Sequence, residues 1–453
     1  MLQSLRVDEQ PSQQPKSSRL ILNWFFAVIA ATAACGSLLL AITSNYGGHH
    51  DIYLMLGSFL SVLKNGDYIP SRFTGYPVAE IGVGASAWAG GSALSNSVNF
   101  FLFLISVLLF PFCFSTKPTL TRYLAFAAMA LSSTVLAFDN IMSIDYPWSC
   151  FFWVVGCFCL KRLDVSHIAT IPMALAIGSR PVFGLFVMAS IMLIEPLHTP
   201  ADSTSNDRIK AKVSTLLTTL FAGSLFYIPV WLKHGFGLAW ISAVPPDNQG
   251  YIGLAGRFAF KLITAAGVIQ AAIIITILAL ILLNMTNKNL NTARLIKYDA
   301  IFLMAICAIN FALFARMPVQ LSYLQPLLLC MYYFISRLDG RVYAGASALI
   351  AGINMVNWVA QPRLVRVQYQ SQELCSKTVA ESARPELWLD KGRVREFKDQ
   401  SKKSECYRKW FGQIKGGDYS NAIMEGRPLR SVDSKAIKKQ GSKLSKAILS
   451  ETS

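Results

Sequence analysis

Long runs of apolar residues recur along most of this 453-residue chain and restrict its fold more than any other feature. Several runs reach the length of about 20 residues that a helix needs to cross the hydrocarbon core of a bilayer. Hydrophobic residues make up 53% of the chain and charged residues 15%, a balance that ordinary soluble domains of this size do not show. No ten-residue alternating pattern indicates a membrane barrel. The sequence therefore predicts an all-α fold, a polytopic membrane helical bundle.

We predict about 11 spans within residues 20–360, with residues 1–19 as a cytoplasmic tail. The predicted spans lie near residues 20–42, 97–114, 121–138, 146–160, 167–179, 182–195, 213–231, 262–284, 299–315, 322–336 and 342–359. The loops that this arrangement places in the cytoplasm are basic, as the positive-inside rule requires. The first span is too long for the core of a secretory signal and lacks a convincing cleavage site, so we expect it to be retained.

Two of these predicted spans, 167–179 and 182–195, are too short to cross a bilayer as ordinary helices. Arg180 and Pro181 fall at the turn between them. We expect either a re-entrant hairpin or two tilted, shortened helices. Because irregular backbone is tolerated in a membrane where it is buried in protein or lines a wet cavity, we expect a cavity beside Arg180.

The first outer loop, residues 43–96, is larger than a simple connector. Apolar residues recur at helical spacing from Ile52 to Lys64 and predict an amphipathic helix that lies in the membrane interface. The Gly- and Ala-rich stretch 77–94 is expected to lie on the membrane as well. Interfacial helices are therefore expected in the first outer loop.

The net charge of +17 does not indicate a nucleic-acid partner. Residues 361–453 carry 20 Lys and Arg against 11 Asp and Glu, or +9, leaving 22 against 14, or +8, before them. The earlier cations lie mostly in short loops, where they report topology. An odd number of spans puts the polar, partly disordered tail outside, where Cys375 and Cys406 can form a disulfide. Membrane lipids are the anionic partner expected for this tail.

Short motifs follow one another in a recognisable order along the membrane part. They are Asp51 just after the first span, Asn65-Gly66-Asp67-Tyr68, Gly75-Tyr76-Pro77, Asp145-Tyr146-Pro147, Ser179-Arg180-Pro181, and Arg316-Met317-Pro318 with Gln320 and Tyr323. In this order they resemble the membrane glycosyltransferases of the C superfamily, which include protein mannosyltransferases and lipid A aminoarabinose transferases. The resemblance covers roughly residues 20–345. It implies an enzyme that uses a sugar on a polyprenyl phosphate or pyrophosphate.

Carried over residue by residue, the first-loop carboxylate of that family falls on Asp51. The resemblance implies a general base that takes the acceptor's proton as it attacks the anomeric carbon. A helix N-cap is a second role for Asp51, compatible with the first. The family usually has an acidic or polar neighbour here, whereas this chain has His49 and His50. An imidazole base and a divalent metal site stay open beside ordinary loop histidines, and no other cofactor is expected.

A leaving phosphate needs fixed cations, and Arg binds phosphate through a planar fork. Arg180 in the irregular turn and Arg316, which ends a span beside Gln320 and Tyr323, are the preferred donor-binding residues. Arg72 is a third candidate. The alternative for all three arginines is snorkelling to lipid headgroups.

Asp145 lies in a short outer loop and is the candidate second acid. In the related family such a residue helps to position the acceptor or a cation. A helix cap or a solvated loop acid is the alternative role.

We therefore interpret the chain as a multi-pass glycosyltransferase of the cell inner (plasma) membrane, with its active site on the extracytoplasmic face. It would move a sugar from a polyprenyl-phosphate carrier to an acceptor glycan, lipid or protein by direct displacement. A transporter or flippase of lipid-linked or anionic solutes is the alternative. We find no internal repeat, and the ionisable residues cluster near one membrane face, which disfavours transport. A noncatalytic assembly factor that binds partners through its basic tail is a third interpretation.

Overall fold

The structure is a computed structural model, and its described residues form an all-helical protein. It describes residues 16–43, 46, 50–66, 68–71, 75–115, 118–163, 166–197, 204–234, 256, 297–316, 321–338, 342–360 and 427–431. The helices are α1 (Lys16–Thr43), α2 (His50–Asn65), α3 (Pro77–Leu109), α4 (Leu120–Ser132), α5 (Thr134–Asn140), α6 (Tyr146–Arg162), α7 (Ser166–Ser179), α8 (Phe183–Leu193), α9 (Ser205–Leu225), α10 (Ile228–His234), α11 (Lys297–Arg316), α12 (Gln325–Ser336) and α13 (Val342–Ala360). Short 3₁₀ turns cover Phe110–Cys113, Leu321–Leu324 and Leu429–Ser431.

Three helical segments of the described chain are long and apolar enough to cross a membrane. They are Ser17–Thr43, Pro77–Cys113 and Tyr298–Ala315. Helices α4, α7, α8, α12 and α13 are apolar but shorter. The first predicted span is thus a helix of sufficient length, and the total of eleven spans stays a prediction. The span predicted near 262–284 lies outside the described residues, as do Cys375 and Cys406.

Helix α3 contains both the predicted surface stretch at 77–94 and most of the predicted span at 97–114. The helix runs from Pro77 to Leu109 with one break, where Gly91 has φ 69°. The polar residues after this break do not form a loop, because they are buried and bonded inside the protein. Asn96, for example, donates from Nδ2 to the carbonyl of Ala41 at 3.3 Å. Buried polar side chains that have hydrogen-bond partners can therefore lie inside a helix, although their polarity resembles that of a loop.

Helix α2 confirms the amphipathic helix predicted from Ile52 to Lys64. Its apolar residues Ile52, Met55 and Leu56 are fully buried, and the helix packs along α3. Gly84 of α3 has no room for a Cβ because the Phe59 side chain of α2 lies against it. The apolar face of α2 is therefore covered at least partly by protein, and its position in the membrane interface stays a prediction.

The predicted span 121–138 is divided into two helices. Helix α4 ends at Ser132, and Ser133 has an extended backbone with φ −63° and ψ 113°. The Ser133 hydroxyl accepts from the backbone N–H of Leu136 and so caps α5. The Ser133 side chain therefore caps the second helix at the point where the first one ends.

A large apolar cluster fills the space between α4, α6, α8, α11 and α12. Trp153 of α6 and Tyr333 of α12 are fully buried within it, and the ring of Phe110 lies about 6 Å from each, at centroid distances of 6.0 and 6.1 Å. Phe114 stacks on Tyr333 with ring centroids 3.9 Å apart. This cluster holds the helices that present the residues described below.

A polar cluster closes the end of the bundle where α6 ends and α11 begins. The backbone N–H and hydroxyl of Ser115 donate to the Asp299 carboxylate at 2.9 and 3.0 Å. Lys161 donates to Ser115 Oγ and to the carbonyl of Glu195, both at 2.7 Å, and lies 3.8 Å from Asp299. These bonds join the ends of α3, α6, α8 and α11, so the buried charges here are matched.

Candidate functional site

Arg180 and Asp145 form a buried ion pair at the opposite end of α6 from Lys161. Arg180 follows the last residue of α7, and Asp145 immediately precedes α6, which packs along α7. The distance from Arg180 Nη1 to Asp145 Oδ2 is 2.5 Å, and the two side chains are 2% and 0% exposed. The predicted turn at Arg180-Pro181 is confirmed, and it delivers a guanidinium into the protein.

Three tyrosines surround the guanidinium of Arg180, and we call Tyr76, Tyr146 and Tyr323 the tyrosine cage. The guanidinium carbon lies 3.9 Å from the ring centroid of Tyr146, 4.7 Å from that of Tyr323 and 5.5 Å from that of Tyr76. Tyr146 and Tyr323 also contact each other edge to face at 5.6 Å. A cation over aromatic faces is stabilised by the ring quadrupoles, and more so when it is desolvated.

The guanidinium of Arg180 stays charged in this surrounding. Burial by itself lowers the pKa of Arg180, but Tyr146 and Asp145 act in the opposite direction and hold its pKa well above the ordinary value. The site therefore contains a permanent cation whose charge is balanced by a carboxylate. Asp145 is bonded to Nη1, and a guanidinium has further N–H groups that can bind an anion.

Glu80, in the first turn of α3, organises the chain beside the tyrosine cage. Its buried carboxylate accepts from the hydroxyls of Tyr68 and Ser71 and from the backbone N–H groups of Ser71 and Tyr76, the last two at 3.0 and 3.1 Å. Burial, reinforced by the Glu80 charge, raises the pKa of Tyr68, so this hydroxyl remains a donor. Glu80 thus fixes the chain on both sides of residues 72–74.

Gly75 makes the turn into the tyrosine cage possible. Its φ of 68° lies in the left-handed region, and a Cβ would lie only 2.7 Å from the Tyr68 hydroxyl. Only glycine meets both conditions without strain. The motif Gly75-Tyr76-Pro77 is therefore explained by backbone geometry, with Pro77 at the start of α3.

Asn99 of α3 holds the short loop that leads to Asp145. Its Nδ2 donates to the carbonyls of Met142 and Ile144, the latter at 2.9 Å, and its Oδ1 accepts from Trp148 Nε1 at 2.8 Å. The hydroxyl of Ser143 donates to Asn96 at 2.7 Å. These bonds fix the backbone before Asp145, so its carboxylate is positioned by α3 as well as by α6.

The structure brings together three of the residues singled out in the sequence, namely Arg180, Asp145 and Tyr323. Asp145 therefore has a specific partner, which neither a solvated loop acid nor a simple helix cap would have; indeed its side chain makes no capping hydrogen bond to α6. The structure does not describe His49, Arg72 and Gln320, nor the side chains of His50, Asp51 and Arg316.

The backbone places Asp51 in the first turn of α2, because this helix begins at His50. A carboxylate in the first turn of a helix is favoured by the helix dipole. The general-base role of Asp51 and the metal site with His49 and His50 remain predictions. Among the described residues, no group of three or more His, Cys, Asp or Glu is close enough to hold a metal ion.

A contact that the sequence did not indicate joins the first outer loop to the C-terminal segment. The Tyr46 hydroxyl lies 3.0 Å from the carbonyl of Arg427 and 3.3 Å from that of Ala87 in α3. Burial raises the pKa of Tyr46, so the hydroxyl keeps the proton that these carbonyls accept. Leu429 is fully buried in an apolar cluster that also contains Ile52, together with Tyr76 and Tyr146 of the cage.

Sequence reasoning missed Glu80, and a signal was present. It is an acidic residue near the start of a long apolar segment, where an ionisable side chain usually has a specific partner. Tyr323 was singled out beside Arg316, and Tyr76 and Tyr146 belong to the motifs, but nothing in the sequence indicated that the three rings surround Arg180. No protein-family model matches the chain, and neither a curated protein nor a solved structure matches it.

Proposed function

We propose that this protein is a glycosyltransferase of the C superfamily that moves a sugar from a polyprenyl-phosphate carrier to an extracytoplasmic acceptor. One observation supports the proposal above the others. Residues from four separate sequence motifs meet at one buried guanidinium: Tyr76, Asp145 with Tyr146, Arg180, and Tyr323. The same motifs, in the same order, carry the resemblance to that superfamily.

In this proposal Arg180 is a phosphate-binding cation of the donor site. A guanidinium has five N–H donors in a planar fork, so it can hold a carboxylate and a phosphate oxygen at different N–H groups. Asp145 keeps the cation balanced while the site is empty of substrate, and the tyrosine cage orients the fork. Arg316 and Arg72 would add charge for the leaving phosphate, with Gln320 and Tyr323 beside it.

Asp51 is the proposed general base in the first turn of α2. The acceptor hydroxyl would lose its proton to this carboxylate while its oxygen attacks the anomeric carbon, and the bond to the carrier phosphate would break with inversion. The multi-pass protein would lie in the cell inner (plasma) membrane, with the lipid tail entering from the bilayer. An acceptor glycan, lipid or protein would approach from the extracytoplasmic face.

Asp51→Asn tests the chemical step. We expect turnover of a polyprenyl-phosphate sugar to collapse while binding of the carrier persists, because the carboxylate takes a proton and does not hold the phosphate. Mass spectrometry of the lipid that co-purifies with the wild type identifies the carrier and names the sugar. Undiminished turnover by Asp51→Asn would show that another group is the base, whereas lack of any bound or transferred polyprenyl-phosphate sugar would refute the donor class.

A transporter or flippase of lipid-linked or anionic solutes is a second candidate, and the paired state of Arg180 is the observation that favours it. A buried ion pair near a membrane can exchange its carboxylate for an anionic solute without any covalent step. Proteoliposome uptake by wild type and by Asp51→Asn separates the two functions. A carrier would show uptake in both proteins. A transferase would show uptake in neither, and only the wild type would transfer the sugar.

A further inference from the structure

Gln325 is a buried amide that has no hydrogen-bond partner among the described residues. It is the first residue of α12, two positions after Tyr323 of the cage, and it is 2% exposed. Neither Oε1 nor Nε2 has a partner anywhere in the described part of the chain. Both the donor and the acceptor of this side chain are therefore unmatched within the part of the chain that the structure describes.

Asn310 of α11 has a similar unmatched atom beside the same tyrosine. Its Nδ2 donates to the backbone carbonyl of Tyr323 at 2.6 Å, while its Oδ1 has no partner within the described residues. The ring of Tyr323 in turn covers the Arg180 guanidinium. Three unmatched polar atoms thus belong to two residues near Tyr323, Asn310 through a hydrogen bond and Gln325 two positions along the chain.

Asn140 and Asn23 also have an unmatched Oδ1 within the described residues, but Gln325 differs from them in that both of its polar atoms are unmatched. Asn99 is the opposite case. Its donor and its acceptor are both bonded, to the loop before Asp145 and to Trp148. Buried polar groups are nearly always bonded in folded proteins, and an unmatched one destabilises the fold. Such a group is retained where it serves a ligand, at a cost in stability.

The chemistry of these atoms selects the ligand. Two amide oxygens accept hydrogen bonds, which phosphate oxygens cannot donate, and one amide nitrogen donates. A group that both donates and accepts is a hydroxyl, and several hydroxyls beside aromatic rings describe a sugar. We propose that Gln325 and Asn310 form the subsite for the sugar hydroxyls, next to the phosphate held by Arg180; this assignment rests on the proposed function.

The subsite predicts a stability change of unusual sign. Gln325→Met removes two unmatched polar atoms and keeps the length of the side chain, so the thermal midpoint of the purified full-length protein should rise by a few degrees. Asn99→Leu is the matched control and should lower the midpoint, because it breaks bonds that exist. Gln325→Leu repeats the measurement with a different shape, so that a steric clash of Met is recognised.

The same variants test ligand recognition without turnover. Free monosaccharides (a hexose, an amino sugar and a pentose, each at high concentration) are added to wild type and to Gln325→Met. At least one of them should stabilise the wild type, and the variant should lose that shift. Native mass spectrometry should show that Gln325→Met loses at least about tenfold in affinity for the corresponding decaprenyl-phosphate sugar and binds bare decaprenyl phosphate like the wild type.

Two results would overturn the subsite. One is a lower midpoint in both Gln325 variants, as expected for a bonded structural amide. The other is an unchanged response of Gln325→Met to the sugars. Failure of wild type to bind decaprenyl phosphate, with the monosaccharide shift still lost in Gln325→Met, would instead refute the proposed function and leave the sugar subsite standing.

Discussion

Arg180 and Asp145 are bound to each other inside the protein, with Nη1 and Oδ2 2.5 Å apart although 35 residues separate them in the chain. Each side chain by itself would be an expensive charge to bury. Together they are held by the end of α7, the start of α6 and the tyrosine cage. This pair is the natural starting point for experiments on the protein.

Asp145→Asn should leave the buried Arg180 charge without the carboxylate that balances it. We expect the free energy of unfolding to fall by about 3–5 kcal/mol, the usual cost of removing one partner from a buried pair. Denaturant unfolding of the detergent-solubilised protein measures it. The double variant Asp145→Leu with Arg180→Met removes both charges and should be more stable than Asp145→Asn. Equal stability of wild type and Asp145→Asn would mean that the pair is not buried in solution.

Glu80→Ala should disorder the chain on both sides of residues 72–74. Each buried donor that loses its acceptor costs about 1–3 kcal/mol, and the Glu80 carboxylate serves four donors. Glu80→Gln keeps Oε1, which accepts from Ser71 and Tyr76, so it should cost less than about 1.5 kcal/mol. Hydrogen exchange at the Ser71 and Tyr76 amides reports the effect. Equal protection of these amides in both variants would contradict it.

Gly91→Ala should destabilise the break in α3. With φ at 69°, a side chain meets its own backbone, and the cost is about 1–2 kcal/mol. Gly352 in α13 is the control, because a Cβ there meets open space and has no positive φ. Gly352→Ala should stabilise the protein by about 0.5–1 kcal/mol. Thermal unfolding of the two variants distinguishes them, and a neutral Gly91→Ala would place the break elsewhere.

Leu429→Cys should be protected from thiol reagents, whereas its neighbour Arg430→Cys should react freely. Leu429 is fully buried and Arg430 is exposed, so the comparison needs only two adjacent positions. We expect Leu429→Cys to be labelled about tenfold more slowly, since it must wait for local opening. Cys35, Cys375 and Cys406 are first replaced by serine. Similar labelling rates at both positions would mean that the segment is not docked.

The sequence predicted helix boundaries correctly where neighbouring residues mark the boundary. Arg180-Pro181 ends one apolar run and begins another, and the helices α7 and α8 end and begin within a few residues of the predicted bounds. In α3 the same reasoning placed the division between surface stretch and span at 94–97, a few residues after the break at Gly91. Ser95 and Asn96 look like loop residues until their buried partners are known. Composition cannot report partners that are distant in the chain.

The sequence predicted several residues of the candidate site, but it did not predict which of them bind each other. Arg180 and Asp145 were each singled out, as a phosphate ligand and as a second acid, yet nothing in the sequence indicated that they bind each other. Gln325 was not singled out, because one uncharged amide near the start of the predicted span 322–336 does not by itself indicate a ligand. Its unmatched atoms become visible only when burial and hydrogen bonds are counted together.

The contact between Tyr46 and Arg427 imposes a parity rule on the membrane topology. Two segments that touch outside the bilayer must lie on the same side, so an even number of crossings has to separate them. The eleven predicted spans obey this rule, with one before Tyr46 and ten after it. Any revision of that number must therefore add or remove crossings between these two residues in pairs. Labelling of single loops from each side of the membrane can count the crossings.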